Sequence, residues 1–210
     1  MSEDGIMLRI ITLGDSKVGK TSILTRFSRG IFEEETLSTI GLGFTFKEVI
    51  LKDKTKIKLK LIDTAGQEKY KSIAKSYYKN AEGVLFVFSY DDKNSFNHIE
   101  EWLKNFKDNC GDKEENIPMI LVGNKCDLED KVIDDNLIED LKNRIGINNF
   151  KNTSAKDNLG IDKLFNELTE KMFINYKKSS GKKQKKEKVD SHKNISKKIK
   201  KKHCCKSNEL

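Results

Sequence analysis

The sequence lacks the features of a membrane-inserted or exported chain. Its most apolar run, Val84–Phe88, is far shorter than the ~20 residues that cross a bilayer as a helix. The first residues, Met1–Gly5, lack the basic and apolar segments of a signal peptide, and Ser2 stands where N-myristoylation requires glycine. We therefore expect a cytosolic chain.

The cysteines also lack the spacing of a metal or disulfide framework. Four are present: Cys110 and Cys126 stand apart, and Cys204 and Cys205 are adjacent. None of them forms a C-x-x-C pair, so the sequence favours neither a zinc knuckle nor a disulfide scaffold.

Positive charge is concentrated at the end of the chain. Residues 177–210 hold fourteen Lys against two Glu and one Asp, a net charge of +11, whereas the whole chain carries +8. Residues 1–176 are therefore acidic, at −3, which argues against a basic nucleic-acid-binding domain. The lysine-rich segment has few large apolar side chains and no Phe, Tyr or Trp, so we expect a disordered tail over 177–210.

Residues 1–176 alternate short apolar runs with amphipathic stretches. This alternation predicts an α/β domain with a mostly parallel sheet and helices on both faces. The predicted strands are Met7–Leu13, Phe44–Leu51, Lys56–Ile62, Gly83–Tyr90 and Ile117–Val122, of which the second and third form an antiparallel pair. Apolar residues at helical spacing are Phe96, Ile99, Leu103 and Phe106, and later Ile161, Leu164, Phe165, Leu168 and Met172.

Residues 14–21 match the phosphate-loop pattern G-x-x-x-x-G-K-[ST]. The motif follows a predicted strand and precedes an apolar-periodic stretch, which is the context that it requires. Its glycines let backbone N–H groups surround a phosphate chain, the lysine adds a charge, and the threonine offers a hydroxyl to Mg²⁺. We assign nucleotide contact here to Asp15, Ser16, Lys17, Val18, Gly19, Lys20, Thr21 and Ser22.

Two later segments predict a guanine site. In Asn124-Lys125-Cys126-Asp127, the aspartate follows a buried strand and can accept hydrogen bonds from guanine N1–H and N2–H₂, whereas adenine would leave that carboxylate unpaired. In Thr153-Ser154-Ala155-Lys156, small residues allow a backbone N–H to approach guanine O6. We predict base contacts from Asn124, Lys125, Asp127, Ser154, Ala155 and Lys156.

A fourth segment, Asp63-Thr64-Ala65-Gly66-Gln67, ends the third predicted strand. Asp63 is suited to hold Mg²⁺ through water, Gly66 to offer a backbone N–H to a terminal phosphate, and Gln67 to orient a water molecule. An ordinary strand-to-loop turn is the alternative interpretation.

These four segments, in this order and spacing, resemble the small GTPases of the Ras superfamily over residues 6–176, and within it the Rab family. The stretches 39–44, 69–73 and 77–81 resemble the Rab switch regions. The resemblance implies a six-stranded, mostly parallel phosphate-loop GTPase domain with one antiparallel strand. It also implies GTP, GDP and Mg²⁺ as ligands, a slow GTPase reaction and a switch in vesicle trafficking.

The resemblance also implies roles for individual residues. Thr39 would bind Mg²⁺ and the γ-phosphate, and Phe32 would lie against the guanine. The catalytic set would be Lys20, Thr39, Gly66 and Gln67, and the metal set Thr21, Thr39 and Asp63. None of the four arginines lies just before Thr39, so we expect no arginine finger within the chain.

The sequence departs from the Rab pattern near the third strand, where Ile62 replaces a tryptophan and Gly43 an acidic residue. Alternation with Lys58 and Lys60 predicts that Ile62 points outward. We expect an effector face formed by Phe44, Ile62 and Tyr77.

Two side chains outside the motifs, Trp102 and His98, are expected to have structural roles or none. Trp102 is expected to anchor its helix to the sheet, and His98 to be a surface group without a carboxylate partner.

Cys204 and Cys205 resemble the paired prenylation cysteines of Rabs, although five residues follow them. We expect two geranylgeranyl groups, with the lysines adding attraction to anionic lipid. The implied partners are an exchange factor, an activating protein, effectors and an escort or GDI-type chaperone. The implied protein is a monomer that binds no nucleic acid and cycles between cytoplasm and the cytosolic face of an intracellular membrane.

Alternatives remain open. One is another Ras-superfamily signalling GTPase, although Ser207 stands where a CaaX ending has cysteine. A second is a non-prenylated switch whose basic tail binds anionic surfaces. Two further alternatives are a nucleotide-sensitive nucleic-acid-binding protein that uses the lysine tail and a scaffold that does not hydrolyse GTP; the absence of Phe, Tyr, Trp and Arg from the tail argues against the first, and Lys20, Thr39 and Gln67 argue against the second.

Overall fold

The structure, a computed structural model, describes residues 5–34, 42–64, 77–111 and 116–180. Its strands are β1 (Ile6–Leu13), β2 (Leu42–Ile50), β3 (Lys56–Thr64), β4 (Gly83–Ser89), β5 (Met119–Asn124) and β6 (Phe150–Thr153). Its helices are α1 (Lys20–Arg29), α2 (Lys93–Asn97), α3 (Ile99–Cys110), α4 (Asp135–Ile145) and α5 (residues 161–180).

The strands form one sheet in the order β2-β3-β1-β4-β5-β6. Only the β2–β3 pair is antiparallel, with Phe44 opposite Ile62 and Phe46 opposite Lys60, and the other four pairs are parallel. The predicted mostly parallel six-stranded sheet with one antiparallel strand is confirmed. Because the carboxyl ends of β1, β3, β4, β5 and β6 meet at one edge, the loops after them are brought together.

Helices pack on both faces of the sheet. Ile11 and Phe86 belong to a core cluster on one face that also includes residues of α3 and α4. Gly83 faces the other side, where an added Cβ would lie 2.6 Å from Met172 Sδ on α5. The rings of Phe27 on α1 and Phe165 on α5 stack with centroids 3.9 Å apart. The five apolar residues predicted to form the buried stripe of the last helix are all buried.

Two details differ from the sequence-based expectation. Periodicity does not predict helix α4 or strand β6, because each has only one or two buried residues. Helix α5 continues to residue 180, beyond the predicted tail boundary at 177. Lysine and tyrosine are compatible with a helix, so loss of apolar periodicity after Tyr176 does not end it.

The chain divides into two compact units, Met1–Met172 and Phe173–Leu210. The first contains the whole sheet. Of the second, only the end of α5 is described, and the expected disorder of the tail concerns mainly residues 181–210, which lie outside the described part. Within the described residues, no helix combines the length and the apolar character needed to cross a bilayer.

Candidate functional site

The turn from β1 into α1 requires glycine at two positions. Gly14 has a φ of 143°, and a Cβ added there would lie 2.1 Å from the Val87 carbonyl oxygen. Gly19 has a φ of 93°, and its Cβ would lie 2.2 Å from Asn124 Nδ2. A larger residue would meet the backbone of β4 at position 14 and the side-chain amide of Asn124 at position 19, and the positive φ disfavours it at both positions. The two glycines thus allow the loop to pass close to β4 and to the end of β5.

Lys20 lies inside this loop. It is 5% exposed, and its Nζ donates to the carbonyl oxygens of Gly14 at 2.9 Å and Asp15 at 2.6 Å. Burial lowers the pKa of Lys20 to about 8, although the carboxylates of Asp63 and Asp15 act in the opposite direction. A phosphate group beside this ammonium would favour its charged form.

Thr21 and Asp63 bring two hard oxygen atoms together at the start of α1 and the end of β3. Thr21 Oγ1 donates to Asp63 Oδ2 at 2.6 Å. A hydroxyl and a carboxylate are suitable Mg²⁺ ligands when phosphate oxygens and water supply the remaining positions. Within the described residues, no cluster of three His, Cys, Asp or Glu side chains forms a site made by protein alone. The residues present therefore fit Mg²⁺ held jointly with a phosphate ligand.

Asn124 connects the phosphate loop with the loops after β5 and β6. Its Nδ2 donates to the Val18 carbonyl oxygen at 2.9 Å, and its Oδ1 accepts from Thr153 Oγ1 at 3.1 Å. The side chain is almost fully buried, with an exposed fraction of 2%. Both ends of the amide are therefore used for structure, which fixes the relative position of three loops.

Arg26 on α1 fixes the last of these loops. Its guanidinium donates to the carbonyl oxygens of Ala155 at 2.7 Å and Lys156 at 2.9 Å, and also to that of Gly30 at 2.8 Å. The same guanidinium lies 5.8 Å from the centroid of the Phe32 ring. This role of Arg26 could not be predicted, because a lone helical arginine gives no signal in the sequence of a contact 130 residues away.

These loops enclose a cavity of about 460 Å³. Twelve of the predicted nucleotide-contacting residues line it: Ser16, Lys17, Gly19, Lys20, Thr21, Ser22, Phe32, Asn124, Lys125, Asp127, Ala155 and Lys156. The structure thus brings together the phosphate-loop and guanine-site motifs, which lie about a hundred residues apart in the sequence.

Three predicted contact residues do not line the cavity. Val18 is buried and offers its carbonyl to Asn124, and Asp15 turns its carboxylate toward α3. Ser154 is fully buried, and its hydroxyl accepts from the Asp157 N–H, so it closes a turn. Their side chains shape the loops, and the backbone contacts with a nucleotide expected of these residues stay predictions. Thr39, Gly66 and Gln67 lie outside the described residues.

Acidic residues that belong to no sequence motif also line the cavity, among them Asp91, Glu33 and Glu34. Burial raises the pKa of Asp91, but hydrogen bonds from Ser89 and Lys125 outweigh it and the pKa is lowered. Lys125 Nζ lies 3.0 Å from Asp91 Oδ2. This ion pair holds the base loop against the end of β4, and no motif contains Asp91.

The expectation for His98 is wrong. His98 Nδ1 lies 2.6 Å from Asp15 Oδ2, so it has a carboxylate partner on the phosphate loop. Trp102 is buried as expected, and its Nε1 donates to Asp15 Oδ1 at 2.7 Å. The partner could not be found from sequence, because it depends on how α3 lies beside the loop that follows β1.

The expected outward position of Ile62 is also wrong. Ile62 lies on the side of β3 that carries Lys58 and Lys60, but it is 1% exposed and belongs to the core cluster with Tyr78. Alternation assigns the side of a strand but not what covers it. Tyr77 is half-buried against the same cluster, whereas Phe44 is 59% exposed.

Comparison with known proteins agrees with this geometry. The model of the Ras family matches residues 9–174. The chain is 41% identical over 166 residues to the Ras-related protein Rab-10 of Diplobatis ommata, covering 79% of this chain and 80% of that protein. It is 38% identical over 160 residues to Rab-8B of Dictyostelium discoideum, covering 76% of each. With Rab-11B of the same organism it shares 47% identity over 124 residues, covering 59% of this chain and 54% of the relative.

Proposed function

Since this chain belongs to the Ras family as a Rab-like small GTPase, we propose that the cavity enclosed by the loops after β1, β5 and β6 is its guanine-nucleotide site. Proteins of this kind bind GTP, GDP and Mg²⁺, hydrolyse GTP to GDP and act in membrane trafficking. The observation that supports the proposed location best is the convergence of the glycine loop, Lys20 and Asp127 on one cavity.

The phosphates would occupy the end of the cavity beside Lys17, Lys20 and Thr21. Backbone N–H groups around Gly19 and the start of α1 favour anionic groups there. Lys20 would contribute positive charge at the outer phosphates, and its contacts with the Gly14 and Asp15 carbonyls hold the ammonium at that point. The main contribution of this region is electrostatic stabilisation of charge that develops during phosphoryl transfer.

Mg²⁺ would be held by Thr21 Oγ1 and, through water, by Asp63. The bound ion would neutralise phosphate charge. Asp63 is 9% exposed and in hydrogen-bond contact with Thr21, so its carboxylate is held near the position where the phosphates would lie.

The base would occupy the opposite end, where Asp127, Lys125 and Ala155 line the cavity. The Asp127 carboxylate would accept from N1–H and N2–H₂ of guanine. Phe32 would cover the base from the α1 side, and Arg26 would hold the Ala155–Lys156 backbone in place.

A nucleotide-release assay tests this location. Fluorescent GDP bound to the full chain should leave faster when EDTA removes Mg²⁺, and Thr21→Asn should favour GDP over GTP. Lys20→Ala should weaken the binding of GTP more than the binding of GDP. Lys54→Ala, on the β2–β3 turn, should leave both affinities unchanged. Nucleotide binding that is insensitive both to EDTA and to Lys20→Ala would contradict the proposed site.

Hydrolysis would depend on Gln67 to orient water, with Thr39 and Gly66 at the γ-phosphate, as the family resemblance implies. Arg26 is engaged with three carbonyls, and Arg29 lies ten residues before Thr39. We therefore expect slow hydrolysis, about 10⁻⁴–10⁻² s⁻¹, in the absence of an activating protein. Gln67→Leu should slow single turnover with little change in GTP affinity; an unchanged rate would exclude this role.

Membrane attachment would involve Cys204 and Cys205, both outside the described residues. Two prenyl groups, or one with the lysine-rich tail, give stable attachment, whereas one alone gives marginal binding. An escort or GDI-type protein would carry the lipidated form through the cytoplasm to an intracellular membrane. Intact mass and peptide mapping of protein from its native cells test this, and an unmodified Cys204–Cys205 peptide would exclude it.

Effectors would contact the exposed side of β2 around Phe44, with Tyr77 at its border. Because Ile62 is buried, it offers little area to a partner, and its effect on recognition would be exerted through packing beneath Phe44. A binding panel of Rab effectors with Phe44→Ala and the small core change Ile62→Val tests the two positions separately. Only the first should abolish binding of a native effector.

A further inference from the structure

The carboxylate of Asp15 is held from outside the phosphate loop by two residues of one helical segment. His98 Nδ1 lies 2.6 Å from Oδ2, and Trp102 Nε1 donates to Oδ1 at 2.7 Å. Each carboxylate oxygen therefore has its own nitrogen partner. The backbone carbonyl of the same aspartate accepts from Lys20 Nζ at 2.6 Å, so Asp15 connects α3 directly to the phosphate-binding lysine.

Helix α3 holds these two nitrogens in a fixed arrangement. His98 is the N-cap residue of α3, and its carbonyl accepts from the Trp102 N–H at 3.0 Å. Residues four apart lie on the same side of a helix, so both side chains face Asp15. The indole of Trp102 is 5% exposed, which fixes the helix, whereas the imidazole of His98 is 52% exposed and remains accessible to protons.

We propose that His98 is a positioning residue of the phosphate loop, whose imidazolium balances the Asp15 carboxylate and holds the loop in its nucleotide-binding shape. This inference rests on the proposed nucleotide site. Without the cation, the carboxylate charge next to the phosphate cradle is less well compensated, because the hydrogen bond from the Trp102 indole is neutral. The result is weaker binding of the phosphates and faster nucleotide release.

The charged groups near His98 all favour its cationic form. The hydrogen bond with Asp15 is the main cause that raises the pKa of His98, while slight burial lowers it and the charges of Asp15, Glu101 and Asp92 raise it further. These groups belong respectively to the phosphate loop, α3 and the N-cap of α2. The ion pair is therefore complete below the ordinary histidine pKa of about 6.5 and is lost as pH rises through the higher value in the folded protein.

Release of fluorescent GDP from the Mg²⁺-loaded full chain tests the proposal between about pH 6 and about pH 8.5. Release by the wild type should accelerate about threefold to tenfold over this range, since a charge-assisted hydrogen bond is about twice as strong as a neutral one. His98→Asn should release quickly at both pH values, and His98→Lys slowly at both. Because the ligand titrates identically in all three proteins, differences between them report on residue 98.

Identical pH profiles for the three proteins would overturn the proposal, as would slow release by His98→Asn at the lower pH. Failure of the wild type to bind GDP at all would instead contradict the proposed nucleotide site.

The intrinsic fluorescence of Trp102 gives a readout that needs no nucleotide, because Trp102 is the only tryptophan of the chain. Its emission should change with the protonation of His98 in the nucleotide-free wild type, and the transition should disappear in His98→Lys. The histidine titration measured by NMR should move to lower pH in Asp15→Asn. Absence of both effects would overturn the assigned ion pair even if release varied with pH.

Discussion

Asn124 Nδ2 donates to the Val18 carbonyl oxygen at 2.9 Å, across 106 residues of sequence. The bond is buried, and Gly19 leaves just enough room for it, since a Cβ there would lie 2.2 Å from the same nitrogen. The loop proposed to bind phosphates and the loop proposed to bind the base are therefore positioned against each other by protein groups alone. Each loop is held ready for its part of the ligand, which reduces the ordering cost of binding.

Asn124→Asp should disrupt the hydrogen bond that this amide donates to Val18 while keeping the one that it accepts from Thr153. The substitution keeps an acceptor for Thr153 but places a carboxylate against the Val18 carbonyl. We expect a loss of about 2–4 kcal/mol in the free energy of unfolding and GDP release at least about tenfold faster, since a buried group is left unpaired and charged. Urea unfolding and stopped-flow release measure the two quantities.

Thr153→Val is the matched control for that variant. It removes the 3.1 Å bond at the other end of the amide and leaves the Val18 contact in place. We expect a loss of about 1 kcal/mol in stability and an almost unchanged release rate. Equal acceleration of release by the two variants would show that the Val18 contact has no special part in nucleotide retention.

The sequence predicted the residues of this site better than it predicted their roles. Lys20, Asp127 and Ala155 line the cavity because their motifs specify backbone and charge that must meet the ligand. The roles of Arg26 and Asp91 could not be predicted, because their contacts form only when loops that are distant in the sequence meet. The burial of Ile62 could not be predicted for the same reason. Alternation along β3 assigns the side of the strand on which Ile62 lies, but its burial depends on residues of other elements, such as Tyr78.

Lys17 should contribute positive charge to the cavity, although its backbone is held in a strained conformation. Its φ is 65°, a left-handed conformation that glycine adopts more readily, and it lines the cavity. Lys54, on the β2–β3 turn, has nearly the same φ of 63° and does not line the cavity. The two positions therefore provide matched tests of strain and charge.

We expect Lys17→Gly and Lys54→Gly to change the free energy of unfolding by less than about 1 kcal/mol, because relief of strain offsets the greater freedom of the unfolded chain. Only Lys17→Gly should weaken GTP binding, and this effect should shrink in high salt. Thermal unfolding and equilibrium titration at two salt concentrations test both statements. Weaker binding by Lys54→Gly would indicate a general effect of the substitution.

Glu167 on α5 should stabilise the domain in a pH-dependent way. Its carboxylate lies 2.7 Å from Lys151 Nζ of β6 and 3.0 Å from Lys171 Nζ of its own helix. The hydrogen bond from Lys151, aided by Lys171, lowers the pKa of Glu167 to about 2 against the effect of burial. A lowered pKa in the folded state means that the contribution is complete above the ordinary value of 4.5 and is lost as pH falls toward 2.

Glu167→Gln should therefore cost about 1 kcal/mol of unfolding free energy at neutral pH, a value discounted for partial solvent exposure, and progressively less below the ordinary pKa. Glu139→Gln is the control, because Glu139 also pairs with a lysine, at 2.6 Å, but is 63% exposed. Its effect should be small at every pH. Urea unfolding across the acid range measures both losses. Equal losses of unfolding free energy in the two variants at every pH would contradict the prediction.

Guanine selection should depend on the Asp127 carboxylate, which lines the cavity at the end where Ala155 also lies. Asp127→Asn would keep one oxygen that accepts from N1–H but lose the second oxygen that accepts from N2–H₂ of guanine. In its place the amide Nδ2 would donate to the carbonyl that xanthine carries at the 2-position. We expect GTP affinity to fall about 100-fold or more, and xanthine nucleotide affinity to rise, since the site's polar groups then match the other base.

Asp130→Asn removes the same charge from an exposed position of the same loop and should change neither affinity. Competition of GTP, ATP and XTP against fluorescent GDP measures all three proteins, and equal affinity of the wild type for ATP and GTP would exclude Asp127 as the selecting residue.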